Sequence, residues 1–158
     1  MHYSISHNKI RVIFISILVW IVLILAAPVL QVTSNPFLRK ISDYLYLFFK
    51  PTCHQLSSRS FHLAGHALAV CVRCLAFYLA GLTISFYYLF HHHPAMLRLR
   101  IYVLLCAPLL IDFILEKLNF YSNLYYLRFV TGFMTGLALF HLIIIAVSEK
   151  VTANETEK

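Results

Sequence analysis

From Val12 to Leu30 the chain reads VIFISILVWIVLILAAPVL, 19 positions with Ser16 the only polar one, preceded by Lys9 and Arg11. A bilayer core takes about 20 helical residues to cross, and a signal-peptide apolar region has only about 7–15. The run therefore predicts a retained membrane span; the small residues of LAAP leave a cleaved leader as the alternative. Asn35 to Lys50 carries its charges early and its aromatics late, with Leu38, Ile41, Leu45 and Phe48 at helical spacing. It is too mixed to span and predicts an amphipathic helix at the membrane interface, ended by Pro51. Three further spans are predicted, over Ala67–Phe90, Arg100–Leu118 and Leu124–Val147, separated by the polar turns HHHPAMLRLR and NFYSN.

The expected fold is all-α: a four-span antiparallel transmembrane bundle with an interfacial amphipathic helix. Residues 1–11 form an N-terminal polar segment, 12–147 the four-helix domain, and 148–158 a polar tail expected to be disordered. Gly132 and Gly136, four apart in TGFMTG, share a face of the last helix, where small residues let helices approach closely in lipid.

Composition agrees with this pattern. Of 158 residues 61% are apolar and 12% charged, about half the charge of a soluble domain. The net charge of +7 would suggest nucleic acid as partner for a soluble chain. Here the basic residues flank spans, where they set orientation and meet anionic headgroups. The expected partners are the lipid bilayer and a second copy or a membrane-complex subunit, not nucleic acid. The expected location is the cytoplasmic membrane of a prokaryote. Basic residues are almost evenly divided between the two sides, with a lean to cytoplasmic termini.

The chemistry gathers in CHQLSSRSFHLAGHALAVCVRC, Cys53 to Cys74. Alternating helix direction places the start of the second span, the end of the third and the start of the fourth on one membrane side. Cys71, Arg73 and Cys74 lie near the first of these, Asp112 and Glu116 near the second and Arg128 near the third. Intramembrane charges are costly, so Asp112 is expected to pair with Arg73 or Arg128 in a polar network with Glu116. A structural lock of three helices and a proton or anion site are both compatible with that set.

Three readings of the sulfurs stay open. Cys71 and Cys74 at C-x-x-C spacing, with Cys53 as third ligand and His54, His62 or His66 completing four, His54 first, suit zinc or another soft ion. A C-x-x-C at a helix start, beside Arg73, also suits a thiol-based membrane oxidoreductase, for which Cys53 would be the exchanging partner. A structural disulfide or buried free thiols in a subunit of a larger complex is the third. Metal binding leads. Cys106, in mid-span, reads as a small apolar residue, His141 as a packed, hydrogen-bonded side chain, and His91 to His93 as a solvated turn. No G-x-S-x-G and no glycine-rich phosphate loop is present among 4 Gly.

Over about Pro51 to Gly136 the chain resembles the family of small predicted membrane proteins called domain of unknown function 2085. The likeness rests on Cys53-His54-Gln55, Arg59-Ser60-Phe61, Gly65, Cys71-x-Arg73-Cys74 with Tyr78, Pro108 and Asp112, Ser122-Asn123, Arg128, and Gly132 with Gly136. Ala69, Ala76, Phe113 and Glu116 depart from the usual Pro, Gly, Gly and Gln. The resemblance implies a multi-span bacterial or archaeal membrane protein and no established activity.

Overall fold

The computed structural model describes residues 3–118 and 124–150. Among them are five helices: α1 His7–Gln31, α2 Pro36–Phe49, α3 Val72–Phe90, α4 Leu99–Lys117 and α5 Tyr125–Val147. The rest is loop, a 3-10 turn at Ser57–Arg59, and two pairs of two-residue strands. The chain is thus all-helical in architecture. Helices α1, α3 and α5 are long and apolar enough to cross a membrane. Helix α4 coincides with the expected third span, but Arg100, Asp112, Glu116 and Lys117 keep it outside that group.

Asn35 starts α2 by accepting the Phe37 N–H through its side-chain oxygen at 2.9 Å, with Pro36 at the first helical position, where its missing N–H costs nothing. The buried Ser42 hydroxyl then donates to Ala27 O of α1 at 2.6 Å. Trp20 of α1 packs edge-on against Phe49 and Tyr78, at 5.1 and 5.8 Å between centroids, which ties α1 to α2 and α3.

The most extensive helix contact joins α3 to α5. Gly132 lies directly against the Arg73 carbonyl, and a Cβ at Gly136 would stand 2.6 Å from Phe77 O. The absence of side chains at these two positions is what brings the backbones together, as the TGFMTG spacing predicts. Helix α4 packs on α5 alone among the helices of extensive contact. Its outward residues, including Leu99, Leu104 and Leu110, are exposed.

At the opposite end from the cysteines, Tyr3–Ser4 pairs antiparallel with Glu149–Lys150, and Lys9 bonds Glu149 at 2.8 Å. Ile5 donates its N–H to His92 O at 3.1 Å. The start of α1 and the ends of α3 and α5 therefore share one end of the bundle. Ser148 to Lys150 of the expected tail lie here; residues 151–158 of that tail, and Ser122 and Asn123, are outside the described residues.

The expectation of a helix from Ala67 is corrected: α3 begins at Val72. Residues 62–67 instead form a hairpin, His62–Leu63 paired with His66–Ala67, turning through Ala64 and Gly65 at φ of 53° and 83°. Two following carbonyls are captured from outside the segment. The Tyr46 hydroxyl donates to Ala67 O, and Gln55 Nε2 donates to Ala69 O at 2.9 Å. Those carbonyls are thereby held by side chains, and the local apolar pattern that suggests a longer helix is overridden.

Candidate metal and charge site at the start of α3

Because α3 starts late, Cys71 is its N-cap residue, in extended conformation at φ −72° and ψ 163°, and Cys74 stands in its first turn. The C-x-x-C thus straddles the helix end rather than lying a turn inside it. Cys53 comes from the loop after α2. Its chain is turned by Gln55, which sits at φ 52° and whose side chain bonds Tyr46 O at 2.6 Å as well as Ala69 O. One amide therefore clamps the α2 end to the strand exit that feeds α3, and Cys53 is presented to Cys71.

The Cys71 N–H donates to Cys53 Sγ at 3.1 Å, and the Cys71 and Cys74 sulfurs are 3.5 Å apart. All three sulfurs lie within 4.8 Å of one another. Cys53 is buried and Cys71 and Cys74 are half-buried. His54 is exposed and its ring nitrogens are not part of this trio, although it lines the same cavity. Cys106 and His141 stand apart from it. The Tyr102 hydroxyl and His141 Nδ1 are 2.8 Å apart in a buried contact between α4 and α5, so His141 is the packed, hydrogen-bonded histidine of the sequence reading.

The Cys71 thiol, then the Cys74 thiol, and the backbone N–H groups of Gln55 and Cys71 hold the Cys53 thiol far below the usual thiol range, against the opposing effect of burial. Hydrogen bonds to the charged form favour it. In metal-free protein the Cys53 thiolate is therefore expected to persist at pH 6. Ultraviolet thiolate absorbance should show it, and Cys53→Ser should remove it; a single transition near pH 8–9, the range of an ordinary thiol, contradicts this.

Beside the sulfurs is an ion network. Arg73 of α3 binds Asp112 Oδ2 and approaches Glu116 Oε2 at 3.6 Å. Arg128 of α5 reaches Glu116 Oε1 at 2.6 Å, and Arg59 of the 3-10 turn reaches the same atom at 2.8 Å. The Thr131 hydroxyl donates to Asp112 Oδ2 at 3.3 Å. The Asp112 side chain is 1% exposed and that of Arg128 3%, so the network is buried at its centre and joins the 3-10 turn with α3, α4 and α5. Arg73 links the two halves of the site, since it stands between Cys71 and Cys74 in sequence. Arg59, Arg73 and Arg128 line one cavity of about 500 Å³ together with Cys53, Cys71 and Cys74.

Gln55 and Arg59 are the functional positions that spacing and charge alone left unassigned. Both fall in motifs that carry the family resemblance, and that was the available signal. Gln55→Ala removes two part-buried hydrogen bonds to backbone carbonyls and is expected to destabilise by about 1–3 kcal/mol. Alkylation of Cys53 should accelerate in the variant; an unchanged rate shows that Gln55 does not hold the loop.

A family model described as "predicted membrane protein (DUF2085)" matches residues 53–142. An uncharacterized protein of Methanocaldococcus jannaschii is 31% identical over 139 residues, covering 84% of this chain and 88% of its own length. An uncharacterized protein of Methanothermobacter thermautotrophicus is 30% identical over 92 residues, covering 58% and 83%. No solved structure matches the chain. The matched segment begins at Cys53 and takes in every cysteine, arginine and carboxylate of the site, and the chain belongs to the DUF2085 family of predicted membrane proteins.

Proposed function

We propose that Cys53, Cys71 and Cys74 bind one thiophilic metal ion, zinc first, as a structural or regulatory centre at one face of a four-span membrane protein. The observation that carries this reading is the convergence of three sulfurs within 4.8 Å from two separate chain segments. Tetrahedral zinc with Zn–S near 2.3 Å needs sulfurs about 3.8 Å apart, and Cys71 and Cys74 are at 3.5 Å. A depressed Cys53 thiol favours the same outcome, because the ligand form is the thiolate. The fourth position falls to His54, by rotation of its side chain within the cavity it lines, or to solvent. Purified protein should carry about one zinc per chain, the stoichiometry of a single site. Cys71→Ser should abolish it and His54→Ala should weaken the affinity. Metal-free protein that takes up no zinc contradicts the proposal.

The second reading is thiol exchange, favoured by the short Cys71–Cys74 separation next to the Cys53 sulfur. Attack of the Cys53 thiolate on a Cys71–Cys74 disulfide forms a new disulfide and releases one cysteine as thiolate. Mass spectrometry after thiol trapping tests it; a Cys71–Cys74 pair that never leaves the dithiol state under oxidants excludes it.

For the architecture, α4 is the fourth span. Its carboxylates are paired with arginines, which offsets the cost of placing charge in lipid, and its exposed leucines face acyl chains. Helix α2 lies at the interface on the cysteine side, with Phe37, Tyr44 and Phe48 outward. The termini are cytoplasmic in the membrane of a prokaryotic cell, and a second copy or a complex subunit is the protein partner. Accessibility labelling of a cysteine placed at His92, in a background without the native ones, reads the sidedness. Labelling by an impermeant reagent added outside intact cells reverses it.

A further inference from the structure

The arginine cavity carries an inference independent of any metal. Each of Arg59, Arg73 and Arg128 spends a terminal nitrogen on Glu116 or Asp112. A guanidinium offers five N–H donors in a planar fork, and the Nε atoms of Arg73 and Arg128 are buried with no hydrogen-bond partner. Arg128 is 97% buried, with a side-chain exposure of 3%. Both residues line the cavity of about 500 Å³. A buried donor without an acceptor is destabilising; the two Nε atoms have almost no accessible surface, so a ligand in the cavity meets the guanidiniums at their terminal nitrogens.

Charge arithmetic says what kind of attraction operates. Three guanidiniums line the cavity against the two carboxylates they bind, Asp112 and Glu116, so the arginines outnumber their own counter-charges. The pull on a ligand therefore comes from three guanidiniums that converge on one cavity. Oxyanions with several acceptor oxygens match convergent arginine forks.

A second cavity of about 540 Å³ is lined by Phe61, Tyr125, Tyr126 and Phe129. Arg59 is followed by Ser60 and Phe61, and Arg128 by Phe129, so residues that line the two cavities are sequence neighbours on both segments. An occupant with a charged head and an apolar body suits the pair, and a bare oxyanion suits the first alone.

We infer that the Arg59–Arg73–Arg128 cavity is a binding site for a phosphate-class oxyanion, supplied as free phosphate or as the headgroup of an anionic phospholipid. Full-length protein in neutral detergent is titrated with inorganic phosphate at constant ionic strength by calorimetry. In parallel, native mass spectrometry follows lipid retention from nanodiscs of phosphatidylglycerol with phosphatidylcholine. Saturable phosphate binding identifies a free oxyanion. Selective retention of one phosphatidylglycerol without phosphate binding identifies a headgroup. In either arm Arg59→Gln is expected to weaken binding about tenfold, the loss of one charge-assisted contact. Arg59 is part-exposed at 42%, so this variant keeps the fold, and its unfolding midpoint is checked alongside. Absence of both signals, or binding by Arg59→Gln equal to that of the parent, overturns the inference.

Discussion

Asp112→Ala is expected to destabilise the protein by about 3–5 kcal/mol, the cost of stranding one member of a buried ion pair. Asp112 is buried at the meeting point of α3, α4 and α5, where the Arg73 guanidinium and the Thr131 hydroxyl converge on Oδ2. Alanine removes that acceptor. Arg73 keeps only the longer contact to Glu116, at 3.6 Å, and its charge is left in a low-dielectric setting. Unfolding in mixed micelles measures the loss. Replacing the pair together, Asp112→Leu with Arg73→Met, should recover much of it, because a hydrophobic substitute avoids the desolvation that the pair itself incurs. A single-variant cost below about 1 kcal/mol, the level of exposed pairs, contradicts a buried lock.

Gly132→Val is the second large effect. A Cβ there collides with the Arg73 carbonyl, a backbone group that cannot rotate aside. Either α5 moves off α3 or the first turn of α3 distorts. Overpacking of this kind costs about 1–3 kcal/mol for a methylene or two, and occasionally more; backbone against backbone belongs at the high end. The displacement falls on the turn that carries Cys74 and next to the Arg128–Glu116 contact, so zinc affinity should fall along with stability. Gly65→Ala serves as the control: it adds strain at φ 83° but meets no atom within 4 Å, and should cost about 1–2 kcal/mol without shifting the helices. A Gly132→Val protein as stable as its parent shows that α3 and α5 are not in close contact.

Much of this fold is legible in the sequence because a lipid-facing helix must be apolar almost throughout. The expected Leu124–Val147 and Arg100–Leu118 segments match α5 and α4 to within a residue at each end. The start of α3 was hidden because the groups that capture Ala67 O and Ala69 O are Tyr46 and Gln55, 21 and 14 residues away. No local window contains them. The pairing of Tyr3–Ser4 with Glu149–Lys150 was hidden for the same reason. Span count lies at the boundary of what composition can say, since α4 carries carboxylates whose cost depends on partners on other helices.

At the site, residue types and helix alternation pointed to the cysteines, arginines and carboxylates. They did not separate Cys53 from His54. Neighbours in an extended loop project in different directions, and the structure buries the thiol beside Cys71 while leaving the imidazole exposed. Nor could spacing reveal that Arg59 shares one carboxylate oxygen with Arg128, which needs the fold of the 3-10 turn. The conversion of a one-to-one ion pair into a network follows from Glu116, whose Oε1 takes both Arg59 and Arg128.

Zinc K-edge absorption on metal-loaded protein probes the proposed three-cysteine centre most directly. Three sulfur scatterers at about 2.3 Å with one lighter neighbour is the expected shell, falling to two sulfurs or no bound zinc in Cys53→Ser. A shell of oxygen and nitrogen alone, or a sulfur count unchanged by that substitution, contradicts it.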